Sequence, residues 1–250
     1  MIIELMTLFP DMCETVLSTS IVGRARAKGV VTFRCRDIRA YSKDKHGHVD
    51  DTPYGGGMGM VLSAQPVFDC YEAICRESGG ERPHLIYMTP AGRPFTQRHA
   101  AALSRRSHIV LLCGHYEGMD ARVVEEIVDE ELSIGDYVLT GGELPALCVA
   151  DAVTRLLPGA LSDAECYIRE SHSDGLLEYP QYTKPQVWHG RAVPEVLLSG
   201  HHARIEAWRH QQSLLRTFLW REDLYHAAGF PEKKKGASNS VVLRPRKIGR

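Results

Sequence analysis

Four short, near-continuous apolar runs recur through the first half of the 250-residue chain: IIELMTLF (2–9), VVTFRCR (30–36), HLIYMT (84–89) and HIVLLC (108–113). Runs of this length and composition predict buried strands. Amphipathic stretches separate them. PVFDCYEAICRE (66–77) sets Val67, Cys70, Tyr71 and Ile74 at helical spacing, and TQRHAAALSRR (96–106) predicts a second helix. Strand–helix alternation of this kind predicts an α/β fold on a parallel sheet.

Beyond the last strand the punctuation changes. Pro145 suits the first turn of a helix, where a missing N–H costs nothing. That helix continues through LCVADAVTRLLPG and stops at Pro158-Gly159, with Leu144, Leu147, Val153 and Leu156 facing the core. Asp151 and Arg155 fall at i, i+4 on another face, the spacing of a helical salt bridge. Residues 160–185 turn polar, with Gly175, Pro180 and Pro185, and predict a linker. The stretch SGHHARIEAWRHQQSLLRTFLWREDLYHAAG (199–229) is helical in pattern: Ile205, Trp208, Leu214, Leu215, Phe218 and Leu219 form an apolar side, and Arg204, Arg209, His210, Arg216 and Arg221 a basic one. The predicted organisation is an α/β domain over 1–161, a linker over 162–176, and a helical domain with a basic tail over 177–250.

Composition sets bounds on this picture. Apolar residues make up 44% and charged residues 24%, the balance of a globular protein. No apolar run approaches the roughly 20 residues that span a bilayer. MIIELMTLFPDM has no basic leader segment, so no signal peptide is expected. Seven scattered cysteines without a C-x-x-C read as reduced thiols packed as small core residues, and together these features predict a cytoplasmic protein. HGH (46–48) and the pair His201–His202 lack the spacing of a zinc site.

Charge is uneven. Residues 201–250 carry eleven Lys or Arg against four Asp or Glu, a balance of +7, so the first 200 sum to −8 within the overall −1. Lys233, Lys234, Lys235, Arg244, Arg246, Lys247 and Arg250 concentrate that charge at the end. A cationic tail beside a cationic helix face makes nucleic acid the leading partner class.

Two glycine-rich segments carry candidate chemistry. DDTPYGGGMGM (50–60) reads as a functional loop, because consecutive glycines suit neither strand nor helix. SIGDYVLTGGELP (133–145) matches neither the phosphate-cradling G-x-x-x-x-G-K-[ST] nor the dinucleotide G-x-G-x-x-G. With YMTPAGRPF, LLCGHYEGMDARV and GLLEYPQYTKP, these segments together resemble the bacterial tRNA (guanine-N1)-methyltransferases of the SPOUT class, in order from the first strand to about residue 220.

The resemblance implies an α/β domain with a parallel sheet tied into a deep trefoil knot, followed by a small carboxy-terminal helical domain. It implies S-adenosylmethionine held by three loops: Tyr87, Thr89, Pro90 and Gly92 in the first, Gly114, Tyr116 and Gly118 in the second. The third supplies Ser133, Ile134, Gly135, Asp136, Tyr137, Val138, Leu139, Gly141, Gly142 and Pro145. The implied reaction methylates N1 of the guanine at tRNA position 37, next to the anticodon. By motif position the catalytic carboxylate falls at Glu170, where the family carries aspartate, and its partner arginine at Arg155; Asp174 is the fallback base. His46, Asp50, Glu117, Arg204 and Arg209 are the further expected contacts to tRNA. Glu117 is also a candidate for holding magnesium, with a hydrogen bond to the guanine edge as its alternative. A homodimer with the active site at the interface, the knot of one chain facing the linker and helical domain of the other, completes the implied picture. Two other readings stay open: a SPOUT ribose 2′-O-methyltransferase, and a non-catalytic RNA-binding protein with a vestigial cofactor pocket.

Overall fold

The computed structural model describes residues 1–162, Tyr167 and 170–230. The chain divides into two compact units, Met1–Tyr167 and Ile168–Arg250. The tail lysines and arginines from Lys233 onward lie outside the described residues, as does Cys166.

In the first unit, β1 (Ile2–Thr7) leads to α1 (Pro10–Leu17), α2 (Ser20–Ala27) and β2 (Thr32–Asp37). Two short strands, β3 (Asp50–Asp51) and β4 (Val61–Leu62), bracket the glycine-rich loop as an antiparallel pair. Then follow α3 (Ala64–Glu77), β5 (His84–Pro94), α4 (Gln97–Leu103) and β6 (His108–Cys113). The unit continues with α5 (Ala121–Ile127), β7 (Glu130–Ser133) and α6 (Glu143–Thr154). The main sheet runs β2-β1-β6-β5-β7, and every pairing in it is parallel. Apolar side chains cover both faces. One core layer joins Ile3, Leu5, Ile109 and Leu111 to Cys13, Ala100, Val149 and Val153; the other joins Met6, Val110 and Leu112 to Val67, Tyr71, Ile74 and Val123. Burial on both faces explains why these strands read as continuous apolar runs rather than alternating ones.

Several sequence expectations need correction. The strand β7 escaped the pattern because only Leu132 and Ser133 of its four residues are buried. Leu144 does not face the core; it is 50% exposed, and Glu143 beside it is buried instead. Cys148 is exposed rather than a core thiol.

In the second unit, a hairpin of β8 (Val187–Trp188) and β9 (Arg191–Ala192) precedes α7 (Glu195–Leu198), α8 (His202–Trp220) and α9 (Glu222–Ala227). The predicted single helix over 199–229 is therefore broken, at Arg221, whose φ of −142° and ψ of 65° leave the helical region. Leu219 sits outside the apolar side, 39% exposed. The stretch after Glu170 is bound onto α8: Thr217 Oγ1 accepts from Leu177 N at 2.8 Å, and Ser213 Oγ donates to the Leu177 carbonyl. No helix among the described residues is long and apolar enough to cross a membrane.

One polar cluster lies within the sheet. Glu4, fully buried on β1, meets Arg34 Nη1 at 3.2 Å and Arg36 Nε from β2, and His108 Nε2 at 3.1 Å from β6. Burial by itself would raise the Glu4 pKa; hydrogen bonds from His108 and Arg36 and the two arginine charges outweigh it and hold the carboxyl below its ordinary value. A lowered folded pKa means this stabilisation is complete above the unfolded pKa and is lost as pH falls through the folded one. Glu4→Gln should cost about 3 kcal/mol near neutral pH, because breaking a buried pair strands its partners. In denaturant titrations the gap from wild type should narrow as pH drops below 4.5, the ordinary value; a gap independent of pH would contradict the assignment.

Candidate active site

Three segments meet at the carboxyl edge of the parallel sheet, where ligands bind: a bulge within β5 and the loops that leave β6 and β7. Each is placed by backbone contacts. In β5 the pairing with β7 slips between Met88 and Arg93, so Thr89–Gly92 bulge out of the ladder. Gly92 is required at the base of that bulge, since a Cβ there would lie 2.5 Å from Leu132 N. The β6 chain passes from Cys113 to Gly114, whose carbonyl accepts from Gly142 N at 2.7 Å, while His115 and Gly141 form an antiparallel bridge. A Cβ on Gly142 would sit 2.6 Å from Gly114 N and 2.7 Å from Cys113 Cα. Backbone cannot yield there as a side chain would.

The loops enclose a cleft that, with its open mouth, measures about 520 Å³. From the predicted set it gathers Tyr87, Thr89 and Pro90 from the first loop and Gly114, Tyr116 and Gly118 from the second. The third contributes Ser133, Ile134, Tyr137, Leu139, Gly141, Gly142 and Pro145. Four predicted residues are not on its lining. Gly92 is spent on the packing against Leu132, Gly135 lies under the Tyr137 ring, and Asp136 and Val138 are exposed. Met88, His115, Leu132 and Thr140 line it without having been singled out. Of these, Met88, His115 and Thr140 each lie inside a quoted motif, YMTPAGRPF, LLCGHYEGMDARV and SIGDYVLTGGELP, while Leu132 lies in none. The lining has no lysine, arginine, aspartate or glutamate, so the cleft suits a ligand recognised by backbone groups and apolar contact.

Two features tighten this site. Tyr116 holds φ at +57°, a costly conformation for a bulky residue, with its ring edge-on to His115 at 5.0 Å. Glu143, at the start of α6 and 4% exposed, accepts from Thr7 Oγ1 at 2.8 Å, tying the third loop to the end of β1. Sequence reading missed Glu143 because a glutamate in a helix's first turn normally signals only a favourable dipole.

The other predicted residues fall in separate places. Arg155 closes α6, half-buried, with its N–H bonded to Asp151 O at 3.0 Å. His46 is exposed in a turn held by Asp44, whose Oδ1 accepts from His46 N at 2.8 Å. Asp50 pairs with Leu62 across β3 and β4. Glu117 is exposed; its N–H donates to Met60 O at 3.0 Å and its side chain stands against Gly59, so the glycine-rich loop and the second cleft loop are brought side by side. Among the described residues no three His, Cys, Asp or Glu side chains gather into a metal-binding group.

In the second unit, Glu170 and Asp174 line one cleft together with Glu178, Glu206, His210 and Ser213. Asp174 Oδ1 also accepts from Leu176 N at 3.1 Å, so it is partly committed to its own turn. Arg204 is exposed, whereas Arg209 pairs with Glu206 at 2.7 Å and stacks over the Tyr179 ring at 4.9 Å.

A parallel sheet whose carboxyl-end loops close on an uncharged cleft is the build of an α/β enzyme that holds a small organic ligand. The chain belongs to the tRNA (Guanine-1)-methyltransferase TrmD family, which matches residues 1–227. It is 58% identical over 222 residues to a Lachnospira eligens protein named tRNA (guanine-N(1)-)-methyltransferase, covering 89% of this chain and 94% of that one. A Ruminiclostridium cellulolyticum protein of the same name is 56% identical over 89% of this chain and 95% of its own. One from Bacillus licheniformis is 51% identical over 93% and 96%.

Gly142→Ala should destabilise the protein by about 1–3 kcal/mol, the cost of forcing a methyl group into packed surroundings. Guanidinium unfolding measures it, and an unchanged midpoint would contradict the tight approach at Gly114.

Proposed function

We propose that this enzyme transfers a methyl group from S-adenosylmethionine to N1 of the guanine at position 37 of tRNA, acting in the cytoplasm. The observation that carries the reading is the uncharged, backbone-lined cleft assembled from the three loops of a chain in this family. The donor fits such a lining. It has no phosphate, so no lysine or helix terminus is required, and its adenine suits Ile134 and Leu139 flanked by exposed backbone groups. Once bound, it would supply an electrophilic methyl group on a sulfonium centre.

The chain's own residues then divide the remaining work. Guanine N1 carries a proton at neutral pH, and Glu170 accepts it at a carboxylate oxygen. Arg155 meets the negative charge that gathers toward O6. Glutamate is a methylene longer than the family's aspartate, so its oxygen must be set by the surrounding cleft, with Asp174 the nearest alternative acid on that lining. Glu117 would hold magnesium with water and substrate filling the remaining positions, since hydrated magnesium is content with one or two carboxylates.

In this reading the segment from the third loop into α6 threads a deep trefoil knot, for which the close passage of Gly142 against Gly114 is the favourable geometry. The second unit is the tRNA-binding domain and grips the anticodon stem-loop, whose unpaired bases offer their Watson–Crick edges. The enzyme works as a homodimer, with Arg155 of one chain and Glu170 of the other serving one site. Phe9 just before α1, Met12 and Val16 on it, 44%, 42% and 44% exposed, and Leu144 on α6 supply apolar surface for such pairing.

Single-turnover assays test the base. Glu170→Ala and Glu170→Gln should each slow N1 methylation at least about 100-fold. Wild-type rates in both would remove Glu170, and a methyl found on ribose by mass spectrometry would favour the 2′-O reading.

Mixed dimers test the shared site. Arg155→Ala and Glu170→Ala chains, each inactive alone, should regain up to about half of wild-type activity when co-assembled, because one intact site forms. No recovery in verified heterodimers would place both residues in one chain's site.

A further inference from the structure

Two cavities of the second unit share one wall. On one side lies the cleft of Glu170, lined also by Asp174, Glu178 and Glu206. On the other lies a groove of about 1060 Å³, mouth included, between residues 179–186 and the start of α8. Tyr179 and Arg209 line both cavities. The Arg209 guanidinium, stacked 4.9 Å over the Tyr179 ring and pinned by Glu206 at 2.7 Å, forms the partition.

The two sides differ in chemistry. The groove has no carboxylate on its lining, and its only charged residues are Lys184 and Arg209. Its walls are aromatic and aliphatic: Tyr182 and Trp208 stand with ring centroids 6.3 Å apart, tilted by 53°, and Ile205 and Leu197 share the lining. Tyr182 remains 37% exposed. Flat rings with a cation beside them and no competing negative charge are what an unpaired nucleotide needs, a π face to stack on and a counter-charge for its phosphate.

We propose that this groove is a stacking site for an unpaired tRNA nucleotide flanking the target guanine, with Tyr182 and Trp208 taking the base and Lys184 its phosphate. The inference rests on the tRNA methylation reading, and it assigns the Arg209–Tyr179 partition a positioning role: the partition keeps the flanking base apart from the carboxylate that deprotonates the target. The charge contrast across a single wall carries the argument: the groove side accepts a flat ring with an anionic phosphate, and the carboxylate side repels one.

The test uses the full-length protein, a labelled anticodon stem-loop and fluorescence anisotropy. Tyr182 is chosen over Trp208 because its exposure makes substitution tolerable to the fold. Tyr182→Ala should weaken binding roughly ten-fold, with Tyr182→Phe restoring most of it. Lys184→Ala should lower the salt dependence by about one phosphate contact. A stem-loop made abasic at one loop position beside the target should lose a similar factor and lose nothing more against Tyr182→Ala. Unchanged affinity in Tyr182→Ala, or losses that add at every abasic position, would overturn the proposal. Methyl transfer to N1 by wild-type protein is measured on the same RNA, so failure of the catalytic reading registers separately from failure of the groove.

Discussion

The site depends on one backbone contact, the 2.7 Å hydrogen bond from Gly142 N to the Gly114 carbonyl. It joins the loop after β6 to the loop that opens α6, and it forms only because neither residue carries a side chain at the point of approach. The His115–Gly141 bridge extends the contact by one residue, and the Thr7–Glu143 hydrogen bond anchors its far end to β1. Remove the approach and the cleft loses its floor, while the sheet itself, held by two apolar layers, keeps its own reasons to fold. Fold and site are thus stabilised by different physics: area burial in the layers, and steric permission at a few glycines.

That difference decides what was legible in the sequence. Strands buried on both faces announce themselves as apolar runs, and β1, β5 and β6 begin within a residue of where hydropathy puts them. The strand β7 has only half of its four residues buried, so it carried too little signal to be read. Inside α6, periodicity put Leu144 inward where Glu143 goes instead, because a hydrogen bond from Thr7, 136 residues away in sequence, outweighs the usual preference for leucine. Long-range polar pairing of that kind leaves no local trace. Of the third loop, Ile134, Tyr137 and Leu139 line the cleft while the exposed Asp136 and Val138 do not, a difference that a motif quoted as one block conceals.

The two units also divide the chemistry. The first offers a cleft without lysine, arginine, aspartate or glutamate on its lining, which suits the proposed cationic donor. The second concentrates carboxylates around Glu170 and sets them off from an aromatic groove by a stacked arginine. Methyl transfer to a protonated ring nitrogen needs both a low-polarity hold on the donor and an acid–base group for the acceptor. The proposed reaction would draw on both linings, and because they lie in separate units each can be shaped without compromising the other.

The central claim is that the three loops hold the methyl donor against the Gly114–Gly142 contact. A crystal structure of the protein grown with S-adenosylmethionine tests it most directly. The account predicts the donor in the cleft beside Ile134 and Leu139, its adenine edge bonded to loop backbone. Density for the donor elsewhere on the protein, with these loops closed on themselves, would contradict it.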